Sequence, residues 1–545
     1  MKKKPNPETT GERSKPYPIV AIGASAGGLE AVTQLLRALP ADTGMAYVYI
    51  QHLDPTHKSM LTEILQRVTG MKVLEARNML KIEPNHLYII PPNKEMVIAD
   101  GMLKLEPRPA RPILHLPVNQ FFISLAENQQ AGAIGIVLSG NASDGAIGLK
   151  AIKMAGGLTF AQDESAKFKG MPKSAVAEGG VDLVLSPEEI AGELERLGKH
   201  PGVLLSAVSS IEEKIAPDED LNNILLLLKK FTGVDFMHYK KSTIKRRVMR
   251  RVLLYKMHTL KEYFAYLEQT PKEISILYQD LLINVTAFFR EPEAFDYLKE
   301  QLFPRILQSK TAGTPVRIWV PACSTGQEAY SIAMLFMEIL GEKIPAPQIY
   351  IFATDLSETA IAKARLGSYT RDELADISPE RLGRFFTKVD SSYRIVKAVR
   401  DICVFATHNI FNDPPISRLD FVSCCNLLIY LDTVLQKKIM NTFHYALKKG
   451  GFLMLGKSET IGASDNLFST IEGGYKIYAR KNTANSNAIL DLNYRPAENG
   501  SLQPFAKKKP EIENYQYNNP EKTLNSILLA NFMPPCVVID KELEI

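Results

Sequence analysis

Nowhere in the sequence do about 18 apolar residues run without interruption, so no segment is expected to span a membrane as a helix. The basic start, Met1-Lys-Lys-Lys-Pro-Asn-Pro, runs into a polar, proline-bearing stretch where a secretory signal would carry its apolar region, and a cytoplasmic location is expected. Cysteine is scarce: Cys323, Cys403, Cys424, Cys425 and Cys536 form no CxxC pair and no histidine-spaced zinc pattern. Neither a metal site nor a disulfide framework is expected from them. Charge of one sign is also in short supply, because a net charge of +5 over 545 residues is too dilute to indicate nucleic acid as a partner.

What is present is ordinary globular composition, 45% hydrophobic and 23% charged, in a chain long enough for several cores. From Pro18 to about residue 200, short apolar runs (Ile19–Ile22, Ala46–Ile50, His86–Ile90, Ile134–Leu138, Val181–Leu185) alternate with helix-like stretches, the pattern of a doubly wound parallel α/β sheet. It follows a polar tail at 1–17 and precedes a linker at 201–218, whose acidic, proline-containing piece breaks the rhythm. Residues 219–302 read as all-helical, and a second α/β pattern fills 303–482. A polar linker at 483–520 leads to an incomplete piece at 521–545.

Three residues of the first α/β segment point to chemistry. Strand Pro18–Ile22 enters Gly23-Ala-Ser-Ala-Gly-Gly28 and then a helix, which matches the strand–turn–helix setting of a G-x-S-x-G nucleophile elbow at Ser25. A serine hydroxyl needs a base and a carboxylate to orient that base. His52 at the tip of a neighbouring strand, and Asp144 in Leu138-Ser-Gly-Asn-Ala-Ser-Asp-Gly, are the candidates, with the backbone N–H groups of Ala26 and then Asn141 for an oxyanion hole. The glycine pattern is also a near miss to the dinucleotide fingerprint, with Ser25 in the second glycine's place.

The segments Ile22-Gly-Ala-Ser-Ala-Gly-Gly, Gln51-His52, Arg111-Pro-Ile, Leu138-Ser-Gly-Asn-Ala-Ser-Asp-Gly-Ala and Gln162-Asp-Glu-Ser with Gly170-Met-Pro resemble, in order, the catalytic domain of the chemotaxis methylesterase CheB. The resemblance implies hydrolysis of glutamyl methyl esters on chemoreceptors, often with glutamine deamidation, by Ser25, His52 and Asp144.

In the second α/β segment, strand Arg317-Ile-Trp-Val leads into Cys323-Ser-Thr-Gly-Gln-Glu-Ala-Tyr-Ser and a helix, and the next strand ends in Asp355. A small-residue turn followed by a strand-tip acid suits a nucleoside-like cofactor without a pyrophosphate, although a plain structural turn has the same look. Asn284-Val-Thr-Ala-Phe-Phe-Arg-Glu, the Cys323 segment, Ala353-Thr-Asp-Leu-Ser, Asn409-Ile, Cys425-Asn-Leu-Leu-Ile-Tyr and Gly456-Lys-Ser-Glu resemble the chemotaxis receptor methyltransferase CheR. That implies a helical leader, a Rossmann-like domain and S-adenosylmethionine as cofactor. Asn284, Thr286, Arg290, Glu328, Asp355, Asn409, Ile410 and Asn426 would hold it, and Tyr430 and Arg290 would face the methyl group and the substrate carboxylate.

The partner so implied is a methyl-accepting chemoreceptor or a similar signalling protein. The basic stretch Lys240–Arg251 is expected to form an amphipathic helix that docks on its acidic helices. Three positions depart from the family: Cys425 in place of arginine, Gln327 in place of glutamate and Lys457 in place of histidine. They leave open a signalling scaffold with an active esterase and a weak or inactive methyltransferase that only binds cofactor or receptor. Residues 521–545 resemble the opening of a PAS sensor domain, after which further sensor or kinase domains are expected.

Overall fold

Every residue of the first strand, Ile19-Val-Ala-Ile-Gly-Ala24, is apolar or glycine, and every one is buried. Such a strand needs cover on both faces, which a parallel sheet obtains from its crossover helices. The computed structural model describes residues 17–52, 60–108, 115–199, 219–282, 286–310, 313–341, 347–390 and 392–482. These form two compact units, one drawn mainly from residues before 286 and one from Thr286 onward.

In the first unit seven strands pair in parallel: β1 (Ile19–Ala24), β2 (Ala46–Gln51), β3 (Lys72–Glu75), β5 (His86–Ile89), β8 (Ala133–Val137), β9 (Leu158–Gln162) and β10 (Leu183–Leu185), in the order β10-β9-β8-β1-β2-β5-β3. Strands β4 (Leu80–Lys81), β6 (Lys94–Ala99) and β7 (Met102–Pro107) make a small antiparallel sheet. Helices α1 (Gly28–Ala38), α2 (Leu61–Gln66), α3 (Pro117–Gln129), α4 (Ala146–Ala155), α5 (Gly170–Ala177) and α6 (Pro187–Lys199) complete the wrapping. Side chains alternate along β1, so Val20 and Ile22 join α1, α2 and α6 in one core, and Ile19 and Ala21 join α3, α4 and α5 in the other. The strand order reverses between β1 and β8, and in an open α/β sheet the crevice beyond that reversal is where ligands bind.

The same unit continues into four helices: α7 (Glu219–Thr232), α8 (Lys241–Leu254), α9 (Leu260–Gln269) and α10 (Pro271–Leu281). Helix α8 carries the basic stretch, and only part of its basic face is open to a partner: Lys241 is exposed, whereas two of its arginines turn inward. Its apolar residues Ile244, Val248 and Val252 are buried as expected, but Arg247 and Arg250 are only 2% exposed as well. Asp182 and Asp280 of this same chain supply the charges that permit it for Arg250, and the backbone carbonyls of Asp280 and Met154 accept from Arg247.

In the second unit strands β11 (Val316–Pro321), β12 (Ile349–Asp355), β16 (Cys403–Thr407), β17 (Leu419–Cys424), β18 (Leu447–Leu455), β19 (Phe468–Glu472) and β20 (Ile477–Arg480) run in the order β16-β12-β11-β17-β18-β20-β19. The first five are mutually parallel, and β20 and β19 close the edge antiparallel. Strands β13 (Ser368–Thr370), β14 (Phe386–Val389) and β15 (Ser392–Ile395) form a separate antiparallel sheet. The order reverses between β11 and β17, again marking a crevice at the strand tips. Among the described residues no helix is long and apolar enough to cross a membrane. The linkers at 201–218 and 483–520, the stretch 521–545 with Cys536, and Asn284 lie outside the described residues.

Candidate active sites

Ala24 and Gln51 are register partners on the parallel strands β1 and β2, so Ser25 and His52, one residue further on each, leave adjacent tips. Neighbouring strands stand about 4.8 Å apart, which places the two side chains over the same end of the sheet. The turn after Ser25 is tight: Gly27 adopts φ 72°, where a Cβ would be strained, and Gly28 N donates to Ser25 O at 2.9 Å. Ser25 N in turn donates to Ser139 O at 3.0 Å, tying the elbow to the loop that carries Asp144.

His52 Nε2 lies 3.1 Å from Asp144 Oδ2, with the acid almost wholly buried and the imidazole one-third exposed. What holds Asp144 is a residue that sequence reasoning passed over. Val118 N donates to Asp144 Oδ2 at 3.0 Å and Asn119 N to Oδ1 at 2.9 Å, so the carboxylate sits on the N-terminus of α3. The Asn119 side chain answers by accepting from Gly145 N at 3.0 Å and Gly148 N at 2.8 Å, at the start of α4. Each helix start is thus capped by a side chain from the other.

A second imidazole stands nearby. His115 and His52 meet edge to face with ring centroids 6.3 Å apart, and His115 Nδ1 is 3.2 Å from Glu95 Oε1. Burial and the charge of Arg108 hold His115 below the ordinary histidine range, against the pull of Glu95. Its only trace in the sequence is proximity to the Arg111-Pro-Ile segment.

In the second unit the turn between β11 and the helix Gln327–Leu340 has left-handed backbone at Ala322, Ser324 and Gly326. A Cβ on Gly326 would come within 2.9 Å of Ala364 Cβ, so only glycine fits the packing and the φ of 94° together. Asp355, at the tip of β12, accepts from Ser324 N at 2.8 Å and Ser357 N at 2.9 Å. Burial raises its carboxyl above the usual range against these N–H groups. Asn409 lies just beyond β16, paired with β12, and its Oδ1 accepts from Phe411 N at 3.0 Å.

The most unusual group is Glu328. It is half-buried, accepts from Ser423 Oγ at 2.5 Å, and has the Cys425 side chain beside it. Burial, with the negative charge of Glu459 adding to it, pushes the carboxyl up to about 7, opposed by those two side chains and Arg290. Glu459, for which the sequence suggested no role, ties the two neighbouring loops by accepting from Asn426 N (2.9 Å), Leu428 N (2.6 Å) and Gly456 N (2.8 Å). Tyr430 closes the short 3-10 turn after Asn426, and Arg290 and Thr286 lie on the segment leading into the unit. Cys323, Cys403, Cys424 and Cys425 are free thiols.

Three families match this chain in order: CheB methylesterase over residues 20–194, the all-alpha domain of CheR methyltransferase over 219–282, and the SAM-binding domain of CheR methyltransferase over 284–477. A 104.1 kDa protein of Rhodobacter capsulatus is 34% identical over 438 residues, which are 77% of this chain and 46% of that protein. This chain therefore spans less than half of that relative. Chemotaxis protein methyltransferase 2 of Pseudomonas aeruginosa is 30% identical over 267 residues, 48% of this chain and 92% of the relative. Protein-glutamate methylesterase/protein-glutamine glutaminase 2 of Burkholderia lata is 39% identical over 185 residues, 34% of this chain and 54% of the relative. With the esterase fold leading into the helical module and the cofactor fold following, the chain belongs to the chemotaxis protein methyltransferase family, with a SAM-binding domain, and carries a CheB methylesterase domain in the same polypeptide.

Proposed function

We propose that Ser25, His52 and Asp144 hydrolyse glutamyl methyl esters of a chemoreceptor and that the second unit re-forms those esters on its glutamates. The observation that carries the first half is the 3.1 Å contact of His52 Nε2 with Asp144. In this reading the Nε2–H goes to the acid and the Nδ1 lone pair serves the Ser25 hydroxyl. Ser25 Oγ attacks the ester carbonyl as its proton passes to His52. The tetrahedral intermediate, with Ala26 N–H and then Asn141 N–H as the donors to its oxyanion, expels methoxide, which takes the proton from His52 and leaves as methanol. Water, deprotonated by the same imidazole, then releases the glutamate and restores Ser25. Glutamine deamidation follows the same course with ammonia as the leaving group.

For the second half the residues fit S-adenosylmethionine on their chemistry. The turn at Gly326 permits close approach, its segment Cys323–Glu328 carries no lysine for a pyrophosphate, and the half-buried carboxyl of Glu328, held by the Ser423 hydroxyl, suits a cationic group. Glu328, Asp355, Asn409, Ile410 and Asn426, with Asn284, Thr286 and Arg290 from the leading segment, would hold the cofactor. When bound, it supplies a methyl group on a sulfonium. The substrate carboxylate is already a nucleophile, so the work of Arg290 and Tyr430 is to align it.

We further propose a division into domains at 18–200, 219–302 and 303–482. A second reading, cofactor binding with slow transfer, is favoured by Cys425: a thiol on Glu328 cannot hold a carboxylate in the two-point geometry of a guanidinium. Methanol release from a methylated receptor tests the esterase half: Ser25→Ala should abolish it while leaving calorimetric S-adenosylmethionine binding unchanged. Methanol release that survives in this variant would refute the triad.

A further inference from the structure

The arginine side of α8 is spent within the chain. Arg250, buried to 2%, donates to Asp182 at the base of the esterase sheet and to Asp280 of α10. Asp182 also accepts from Thr159 N at 3.1 Å and stands 3.5 Å from Lys153 Nζ. Burial alone would raise the Asp182 carboxyl, yet Arg250 and Lys153 hold it below its ordinary range. Beside it Arg247 donates to Met154 O, in the last turn of α4, and Arg246 reaches Gln130 Oε1 at 2.5 Å, at the end of α3.

A cation at a helix C-terminus meets the negative end of the helix dipole, so these two arginines sit where the esterase fold favours them. The backbones also approach closely, because a Cβ on Gly156 would lie 3.0 Å from Arg246 Cβ. Leu253 enters the esterase's own apolar core, Arg196 donates to its carbonyl at 3.3 Å, and Lys256 pairs with Glu193 at 2.7 Å on the rim. Within the helical module the charges continue: Arg251 makes two hydrogen bonds with the buried Glu273, which also accepts from Tyr255 and Tyr263 at 2.6 Å each.

We propose that the base of the esterase sheet is the docking partner of the α8 arginine face, and that this interface, rather than the covalent connection through 201–218, holds the esterase and the helical module of the methyltransferase together. Three features argue for it. The contact has an apolar centre with a polar rim, as stable interfaces do. Its buried charges have partners on both sides. The face also stands at the opposite end of β9 from Gln162, where the strand tips converge, so docking leaves the ester crevice open. An acidic receptor helix would find these arginines already engaged.

The test uses the full chain with a specific protease site placed within 201–218, cleaved after folding and passed over a sizing column at about 0.15 M and about 1 M salt. The two pieces should co-elute at both, since buried pairs are poorly screened; separation at either would overturn the proposal. Asp182→Ala strands a buried guanidinium and should weaken the association on the order of a hundred-fold, and adding Arg250→Met should restore most of it. Undiminished association in Asp182→Ala would also overturn it. Should Asp182→Ala fail to fold, the rim pair gives the same answer: Lys256→Glu should speed separation at low salt, and Glu193→Lys in the same chain should reverse that. No response to either rim change would count against the interface. An excess of an acidic helical peptide should leave the cleaved pair joined, and displacement would show the face to be open.

Discussion

Replacing Glu328 with glutamine should stabilise the cofactor-free protein at about pH 8 and weaken its hold on S-adenosylmethionine, two effects of one half-buried charge. Burial pushes this carboxyl from its ordinary 4.5 up to about 7. Between those values the folded protein keeps a proton that the unfolded chain has lost, so stability falls as pH rises through the window and the whole penalty is present above about 7. At about 1.4 kcal/mol per pH unit this is roughly 3 kcal/mol, shrinking to about 1 kcal/mol near pH 5. Glutamine has no charge to bury, so its advantage should follow the same curve. Urea unfolding can be read from fluorescence, because the single tryptophan of the chain, Trp319, is buried in β11 of the same unit as Glu328. In the presence of cofactor the order should invert: losing a charged partner costs about 1.5–3 kcal/mol, a ten- to hundred-fold weaker Kd by calorimetry. An equal gain in stability at about pH 5 and about pH 8, or unchanged affinity, would refute the assignment of a desolvated, cation-seeking carboxylate.

Asn119→Ala leaves the N–H groups of Gly145 and Gly148 without their acceptor. It should lower stability by about 1–3 kcal/mol and kcat for methanol release by roughly ten- to a hundred-fold with KM little changed. Asn119→Ser, which keeps a capping oxygen, should recover part of kcat, and a full kcat in Asn119→Ala would reduce Asn119 to a structural role. Cys425→Arg should speed transfer of radiolabelled methyl to receptor at saturating cofactor; if the substitution slows it, Arg290 and Tyr430 already suffice for alignment.

The strand ending in Ser25 and the strand ending in Asp355 were legible because local grammar specifies them: an apolar run, then small residues, then a helix. Strand β3, Lys72-Val-Leu-Glu, was not, since two of its four residues are charged and it lies at the sheet edge. Asp144 could be read as the candidate acid, but its support could not, for Asn119 stands 25 positions away and nothing local marks it as a cap. The basic helix was legible only in part, for a related reason. Seven basic residues in a row of twelve look like a surface, and the acids that pair with the buried Arg250, Asp280 and Asp182, lie 30 and 68 positions from it. Sequence patterns report the periodicity of one segment, whereas a buried charge is explained only by what folding brings to it.

The alternation of Asp182, Arg250, Asp280, Arg251 and Glu273 has a thermodynamic consequence. No member can leave without stranding its neighbour's charge in a dry interior, so the helices α7 to α10 have no low-energy way to melt while the esterase sheet stays folded. Residues 17–282 should therefore behave as a single cooperative block, exchanging their innermost amide protons together, and a scanning calorimeter should record the esterase and the helical module as one endotherm rather than two.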